Sequence, residues 1–198
     1  MSASPNAVDL VVICGWPVSG KSTLASALAE YIHARHLDID SNVRAPVFGT
    51  PDPFPNRSGE AMKKDEEDMR GSYELLLHAT DLHLRFSRRL VITATFSRRM
   101  WQDRLLELLT RYPGKCAKAV RCAPSHDTRE FVENRLALRN PGPSNVTDYR
   151  RYVEVKSRYE TPNWPCLVID TYLPFEDTFQ DVIRHLEKGA GLAASVTS

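Results

Sequence analysis

Two glycines five residues apart, followed by lysine, serine and threonine, form the stretch GWPVSGKST at residues 15–23. Gly15, Gly20, Lys21 and Ser22 fit the pattern G-x-x-x-x-G-K-[ST]. A loop of this kind turns its backbone N–H groups inward around an anion. The conformations it needs are obstructed by a Cβ, which accounts for glycine at the turn points. Lys21 then reaches the β- and γ-phosphates of a nucleotide, and the Ser22 hydroxyl meets Mg²⁺. A helix starting here adds the partial positive charge of its N-terminus. ATP and Mg²⁺ are the cofactors implied. The residues placed to touch the nucleotide are Gly15, Trp16, Pro17, Val18, Ser19, Gly20, Lys21, Ser22 and Thr23.

Such a loop must be held between a strand and a helix. VDLVVIC, 8–14, is an apolar β-branched run that reads as a buried strand. STLASALAEYIHAR carries Leu24, Leu28, Tyr31 and Ile32 at helical spacing. Further strand-like runs are HLDID (36–40), RLVITAT (89–95), KCAKAVRC (115–122) and PCLVID (165–170). Helical patterns fill about 20–35, 59–86, 98–111, 126–139, 147–160 and 175–188. Strands alternating with helices imply a parallel sheet covered on both faces, with right-handed crossovers. In GTPDPFPNRSGE, 49–60, the alternating Pro51, Pro53 and Pro55 forbid helix and central strand. A loop of this length in a small domain is often functional.

A second constellation, LDIDSNVR, spans 37–44. Asp38 and Asp40 are two apart, so in extended geometry they face the same way. They fall at the carboxyl end of the second strand, where open parallel sheets bind ligands. One carboxylate there can support Mg²⁺ through water, and one can accept the proton of an attacking hydroxyl. The spacing does not say which does which. Arg44 is placed to grip an anionic group of a substrate. A turn with a helix-capping Asp or Ser is the plainer reading of the same residues.

The chain as a whole limits the function classes. Its 198 residues, 42% hydrophobic and 26% charged, suit one globular domain, taken as 7–188. With 26 basic and 25 acidic residues, no global field calls for nucleic acid or an anionic membrane. The apolar runs are too short to cross a bilayer. The N-terminus lacks the basic and apolar regions of a secretory signal. Cys14, Cys116, Cys122 and Cys166 form no C-x-x-C pair and read as core residues in a reducing, cytoplasmic setting, not as a zinc site. Residues 1–6 and 189–198 read as flexible ends.

With these residues in view, GWPVSGKSTLASALAE together with LDIDSNVR resembles the small-molecule kinases of the P-loop class. Adenylyl-sulfate kinases carry a similar loop and L-D-G-D-N-[VL]-R, and gluconate kinases a similar L-D-G-D. Polynucleotide 5′-kinases and the ATP-binding, AAA-type kinases grouped with them carry D-x-x-R or a close variant. Here Ile39 replaces the glycine, and Asp40 to Arg44 is one residue longer than in the adenylyl-sulfate kinase pattern. RLVITATFSRRMWQDRLLELL, 89–109, is similar to their third strand and next helix. Many ATPases end that strand in aspartate. This chain has Thr93 and Thr95, and gluconate and adenylyl-sulfate kinases also lack the aspartate. The Mg²⁺ burden then falls on Ser22, Asp38 and Asp40. Thr95, Ser97 and Arg98 lie at the strand's carboxyl end, within reach of phosphate or substrate. Arg98 and Arg99 read equally well as solvated first-turn residues.

The resemblance extends to a helical lid over about 127–162, where Arg135 and Arg139 share a helical face and close over ATP. Residues 45–86 cover the acceptor pocket in such kinases. Arg57, Lys63, Lys64, Arg70 and Tyr73 are candidates there, with Arg70 and Tyr73 preferred. KKDEEDMR carries opposite charges at helical spacing, the pattern of a solvated face. His78 and His83 are assigned no role. The implied fold is α/β: a three-layer α/β/α P-loop NTPase with a five-stranded parallel sheet and the lid. The implied activity moves the γ-phosphate of ATP to a hydroxyl of a small-molecule acceptor, with Lys21, Asp38, Asp40, Arg135 and Arg139 catalytic. A polynucleotide 5′-hydroxyl kinase is the second enzymatic reading, which the balanced charge disfavours. A nucleotide-dependent regulatory protein without transferase activity is the third. A monomer or a homodimer suits each.

Overall fold

The run LVVICG is buried along its whole length, as a strand covered on both faces must be. It forms β1 (Leu10–Gly15) in a computed structural model that describes residues 8–49, 59–138, 144, 146–188 and 191–192. The other strands are β2 (Arg35–Asp38), β3 (Leu90–Thr93), β4 (Ala117–Cys122) and β5 (Leu167–Ile169). All pairings are parallel, in the order β2-β3-β1-β4-β5. The register sets Val12 beside Ile92 and Ala119, and Asp38 beside Thr93.

Alternation along β1 divides the core into two layers. Leu10, Val12 and Cys14 pack under α3 (Gly59–Arg85) and α4 (Arg99–Thr110), with Tyr73, Leu76, Trp101 and Leu105. Val11 and Ile13 pack under α1 (Lys21–Tyr31) and α7 (Phe175–Glu187), with Leu24, Leu28, Val182 and Leu186. This is the three-layer arrangement that the alternation implied.

Two shorter helices, α5 (Arg129–Ala137) and α6 (Tyr149–Ser157), lie in the stretch expected to form a lid. Thr128 caps the first by accepting from the Phe131 N–H, and Asp148 caps the second by accepting from Arg151 N–H. Val132, Val146 and Tyr152 make a small core of their own, into which Trp16 and Val18 of the phosphate loop pack.

The structure corrects several boundaries. β2 stops at Asp38, and Ile39–Arg44 forms a π-helical turn followed by a one-turn helix, α2 (Ala45–Phe48). Asp38 and Asp40 therefore do not share one face of a strand. The Asp38 carboxylate takes the N–H groups of Asp40 and Ser41 and ends the strand as a cap. α1 ends at Tyr31, short of residue 35, because His33 turns the chain at φ 52°. Residues 50–58, with Arg57 and the three prolines, lie outside the described residues, as do 1–7, 189–190 and 193–198. The expectation of a loose end does not hold at Leu192, which is 1% exposed and part of the core. Among the described residues all four cysteines are free, and no helix is long and apolar enough to cross a membrane.

Candidate active site

Gly15 leaves the end of β1 with φ 133°, and a Cβ there would lie 2.2 Å from the Cys122 carbonyl oxygen. Close approach to β4 as well as backbone conformation thus demands glycine. Val18 (φ 61°) and Gly20 (φ 81°) are also left-handed. A β-branched residue with positive φ is costly, and here the cost falls in the loop proposed to hold an anion. Gly20 caps α1 with no side-chain hydrogen bond, so no side chain caps the first-turn N–H groups. Ser19 Oγ is buried without a partner in the same loop. Uncapped donors, a left-handed loop and an orphaned hydroxyl fit a phosphate chain. Lys21 Nζ meanwhile donates to the Trp16 carbonyl at 2.5 Å. Burial lowers the Lys21 ammonium from its ordinary value, against the opposing pull of Cys122, Asp38 and Asp40.

The loop floors a cavity of about 1490 Å³ at the carboxyl ends of the strands. Of the residues expected in the site, Pro17 through Thr23, Asp38, Asp40, Arg70, Tyr73, Thr95, Arg98 and Arg135 all line it. Gly15, Trp16 and Arg44 do not. Trp16 is turned to the lid, edge-on to Tyr159 at 6.4 Å and with Lys156 Nζ 4.3 Å from its ring centre. Arg44 is 1% exposed, and its guanidinium is paired with Asp65. The π-helical turn carries it inward, so it does not present itself to a substrate. Arg139 lies outside the described residues.

Asp38 is the most engaged group of the site. Its Oδ1 accepts from the Asp40 and Ser41 N–H groups, and its Oδ2 accepts from Ser22 Oγ and Thr93 Oγ1, each at 2.9 Å. Burial works to raise its carboxyl, but the bonds from Ser41, Thr93 and Ser22, with His36 nearby, outweigh it and hold the group below its ordinary range. Thr93 has one proton and gives it to Asp38. The 2.8 Å contact between Thr93 Oγ1 and His36 Nε2 is therefore donated by the imidazole, which fixes that tautomer. Burial lowers the His36 pKa. Ser22 and Asp38 together present hard oxygen ligands of the kind Mg²⁺ takes. Among the described residues no cluster of three or more His, Cys, Asp or Glu could hold a metal.

On the other flank, Arg135 Nη1 donates to the Val18 carbonyl at 3.2 Å and Nη2 to the Thr171 carbonyl at 2.7 Å. Arg135 thus ties α5 to the loop after β1 and to the segment after β5. On the acceptor flank, Tyr73 is fully packed. Its hydroxyl accepts from the Phe96 N–H and lies 3.2 Å from Thr95 Oγ1, and burial pushes its pKa up to about 12. Arg98 pairs with Glu66 at 2.7 Å.

Sequence reasoning missed three participants. Thr93 was marked only as the place of a missing aspartate. His36 lies two before Asp38 on the same strand, a spacing that could have flagged it. Asp65 was read as part of a solvated face, yet it meets both Arg44 and the lid residue Arg151 and joins the π-helical turn, α3 and α6.

A family model described as an AAA domain matches residues 10–159. No curated protein sequence matches this one significantly. Among solved structures, a Chloroflexus aurantiacus protein assigned as a kinase is 22% identical with a TM-score of 0.66, covering 91% of this chain and 97% of that one. A sugar kinase from Janibacter sp. is 17% identical, TM-score 0.64, with 96% and 99% covered. The APS kinase of Mycobacterium tuberculosis, in complex with AMPPNP and APS, is 20% identical, TM-score 0.61, with 92% and 99% covered. At such identities the likeness is one of fold.

Proposed function

The chain belongs to the AAA-domain family, and we propose on that premise that it is an ATP-dependent phosphotransferase acting on a hydroxyl of a small-molecule acceptor. One observation carries this reading. The phosphate loop, the Ser22–Asp38 pair, Asp40 and Arg135 all reach one cavity at the carboxyl ends of the strands.

The loop N–H groups from Val18 to Thr23 and Lys21 would hold the phosphates. Ser22 and Asp38 would support Mg²⁺, which when bound neutralises phosphate charge and orients the transferred group. Asp38 has four hydrogen bonds to keep and is poorly suited to collect a proton. Asp40 lines the cavity two residues further on and is assigned the acceptor proton. The acceptor oxygen then bonds to the γ-phosphorus as its bond to the ADP oxygen breaks. Arg135 offsets the charge that develops at the phosphates. Thr95, Arg70 and Arg98 would meet the acceptor. A polynucleotide acceptor would require a run of cations left over for a backbone, whereas Arg98, Arg151 and Arg158 each face a carboxylate and leave Lys63 and Arg70 of α3.

The test is ADP release with Mg²⁺ and ATP against sugars, sugar acids, nucleosides, adenylyl sulfate, hydroxyl-bearing antibiotics and 5′-hydroxyl oligonucleotides. Lys21→Ala is the control. Stimulation by one class that disappears in the variant supports the reading. Equal ADP release by both proteins with every acceptor refutes it.

A further inference from the structure

The cavity has two flanks, and they differ in chemistry. The sheet order sets Thr171, Leu173 and Phe175 on the β5 side of the phosphate loop and the α3 and α4 residues on the β2 and β3 side. On this second side stand Met62 and Met69 of α3 and Met100 of α4. The chain has four methionines, one of them residue 1. Every internal methionine therefore faces this one wall. Met62 and Met100 are exposed there, and Met69 packs half-buried against the core. Behind them Trp101 stacks flat on Tyr73, with ring centroids 4.7 Å apart and planes 7° from parallel. A rigid aromatic floor under flexible thioethers can adapt to an apolar body of irregular shape.

Three arginines around the cavity pair with the protein's own carboxylates. Arg98 meets Glu66 at 2.7 Å, Arg151 meets Glu154 at 2.7 Å and Asp65 at 3.5 Å, and Arg158 meets Glu154 at 2.7 Å. Recognition of a carboxylate or sulfate calls for an arginine fork turned to the ligand. Arg98, Arg151 and Arg158 are turned to the protein's own carboxylates, while Arg70 and Lys63 of α3 also line the cavity. The cavity volume of 1490 Å³ also exceeds the roughly 300–1,000 Å³ of a site for one ligand. It has room for a nucleotide and a sizeable second molecule.

We propose that the acceptor is a hydroxyl-bearing molecule with an apolar or aryl body, seated on Met62, Met69, Met100 and Trp101. The role of its hydroxyl rests on the phosphotransferase reading; the character of its body rests on the wall alone.

The test uses the full chain with MgADP and three probes: 2-phenylethanol, 3-phenylpropanol and 4-phenylbutanol. Gluconate and adenylyl sulfate serve as charged competitors. Binding is read by tryptophan fluorescence, and ADP release is measured separately with MgATP. Each added methylene buried on the wall should tighten binding about three- to fourfold. Met69→Gln and Met100→Gln keep side-chain length and remove the apolar surface. Each should weaken 4-phenylbutanol about fivefold or more, with nucleotide affinity measured alongside to show that the variants are folded. A flat series, or tighter binding of gluconate or adenylyl sulfate than of every phenylalkanol, overturns the inference. If the phenylalkanols bind with the expected slope while no acceptor raises ADP release above the Lys21→Ala level, the wall is as described and the phosphotransferase reading falls. If gluconate gives Lys21-dependent ADP release and the alcohols do not bind, the reverse holds.

Discussion

Thr93→Val is the sharpest probe of how the site is held. Thr93 is fully buried in the middle strands of the sheet, and valine has its shape and suits a strand. The substitution therefore removes a hydroxyl and little else. Two contacts go: the 2.9 Å bond to Asp38 Oδ2 and the 2.8 Å bond from His36 Nε2. A hydrogen bond to a charged group contributes about 1.5–3 kcal/mol. For a chain of this size each kcal/mol moves Tm by roughly 2–4 °C, so a fall of about 3–12 °C is expected. The pH dependence follows from Asp38. Its folded pKa lies below the ordinary value, so its stabilisation is complete above the unfolded carboxylate value of about 3.9 and is lost as pH falls through the folded one. Thr93 is among the donors that lower it. The difference between wild type and variant should be full at neutral pH and shrink as the medium is acidified. Urea unfolding at neutral pH, and again at the lowest pH where both proteins fold, measures this. In an Asp38→Asn background the same substitution should cost clearly less. A loss under about 0.5 kcal/mol at neutral pH, or an undiminished loss at a pH below the unfolded carboxylate value of about 3.9, would refute the charge-assisted role of this bond.

Asp40→Asn should lower kcat about 10²–10⁴-fold while leaving the Mg²⁺ concentration for half-maximal rate in place; a shifted Mg²⁺ requirement in steady-state kinetics would reverse the roles given to Asp38 and Asp40. Arg44→Leu removes the buried Arg44–Asp65 pair and should cost about 3–5 kcal/mol in urea unfolding, where an acceptor-contacting surface arginine would cost almost nothing. Gly15→Ala drives a Cβ against the Cys122 carbonyl at a positive φ and should cost roughly 2–6 kcal/mol by thermal unfolding; a variant of wild-type Tm would mean that β1 and β4 are not this close.

The elements of this fold were legible because their signals are local. VDLVVIC has no polar alternation, so it had to be a central strand, and the spacing of Leu24 and Leu28 gave the helix after it. What failed was the short-range geometry of LDIDSNVR. Extended spacing predicts one face for Asp38 and Asp40, but a carboxylate at a strand end competes for its own following N–H groups, and Asp38 folds the chain into a π-helical turn. That turn carried Arg44 away from the cavity. The acidic run around Asp65 looked solvated because its partners, Arg44 and Arg151, lie 21 and 86 residues away in sequence.

By itself the sequence determined the phosphate loop, the alternation of strands and helices, and the set of polar residues gathered near the loop, since each depends on neighbours within a few positions. Tertiary structure decided how those residues divide the work. The parallel register of β2 on β3 sets Asp38 beside Thr93 across 55 positions and commits that carboxylate to four donors, while Asp40, two residues on, lines the cavity. The packing of α3 beside α4 likewise brings three methionines to one wall and pairs Arg98 with Glu66 there. No local pattern records these matters, because the partner of a side chain is chosen by register and packing, not by its neighbours in the chain.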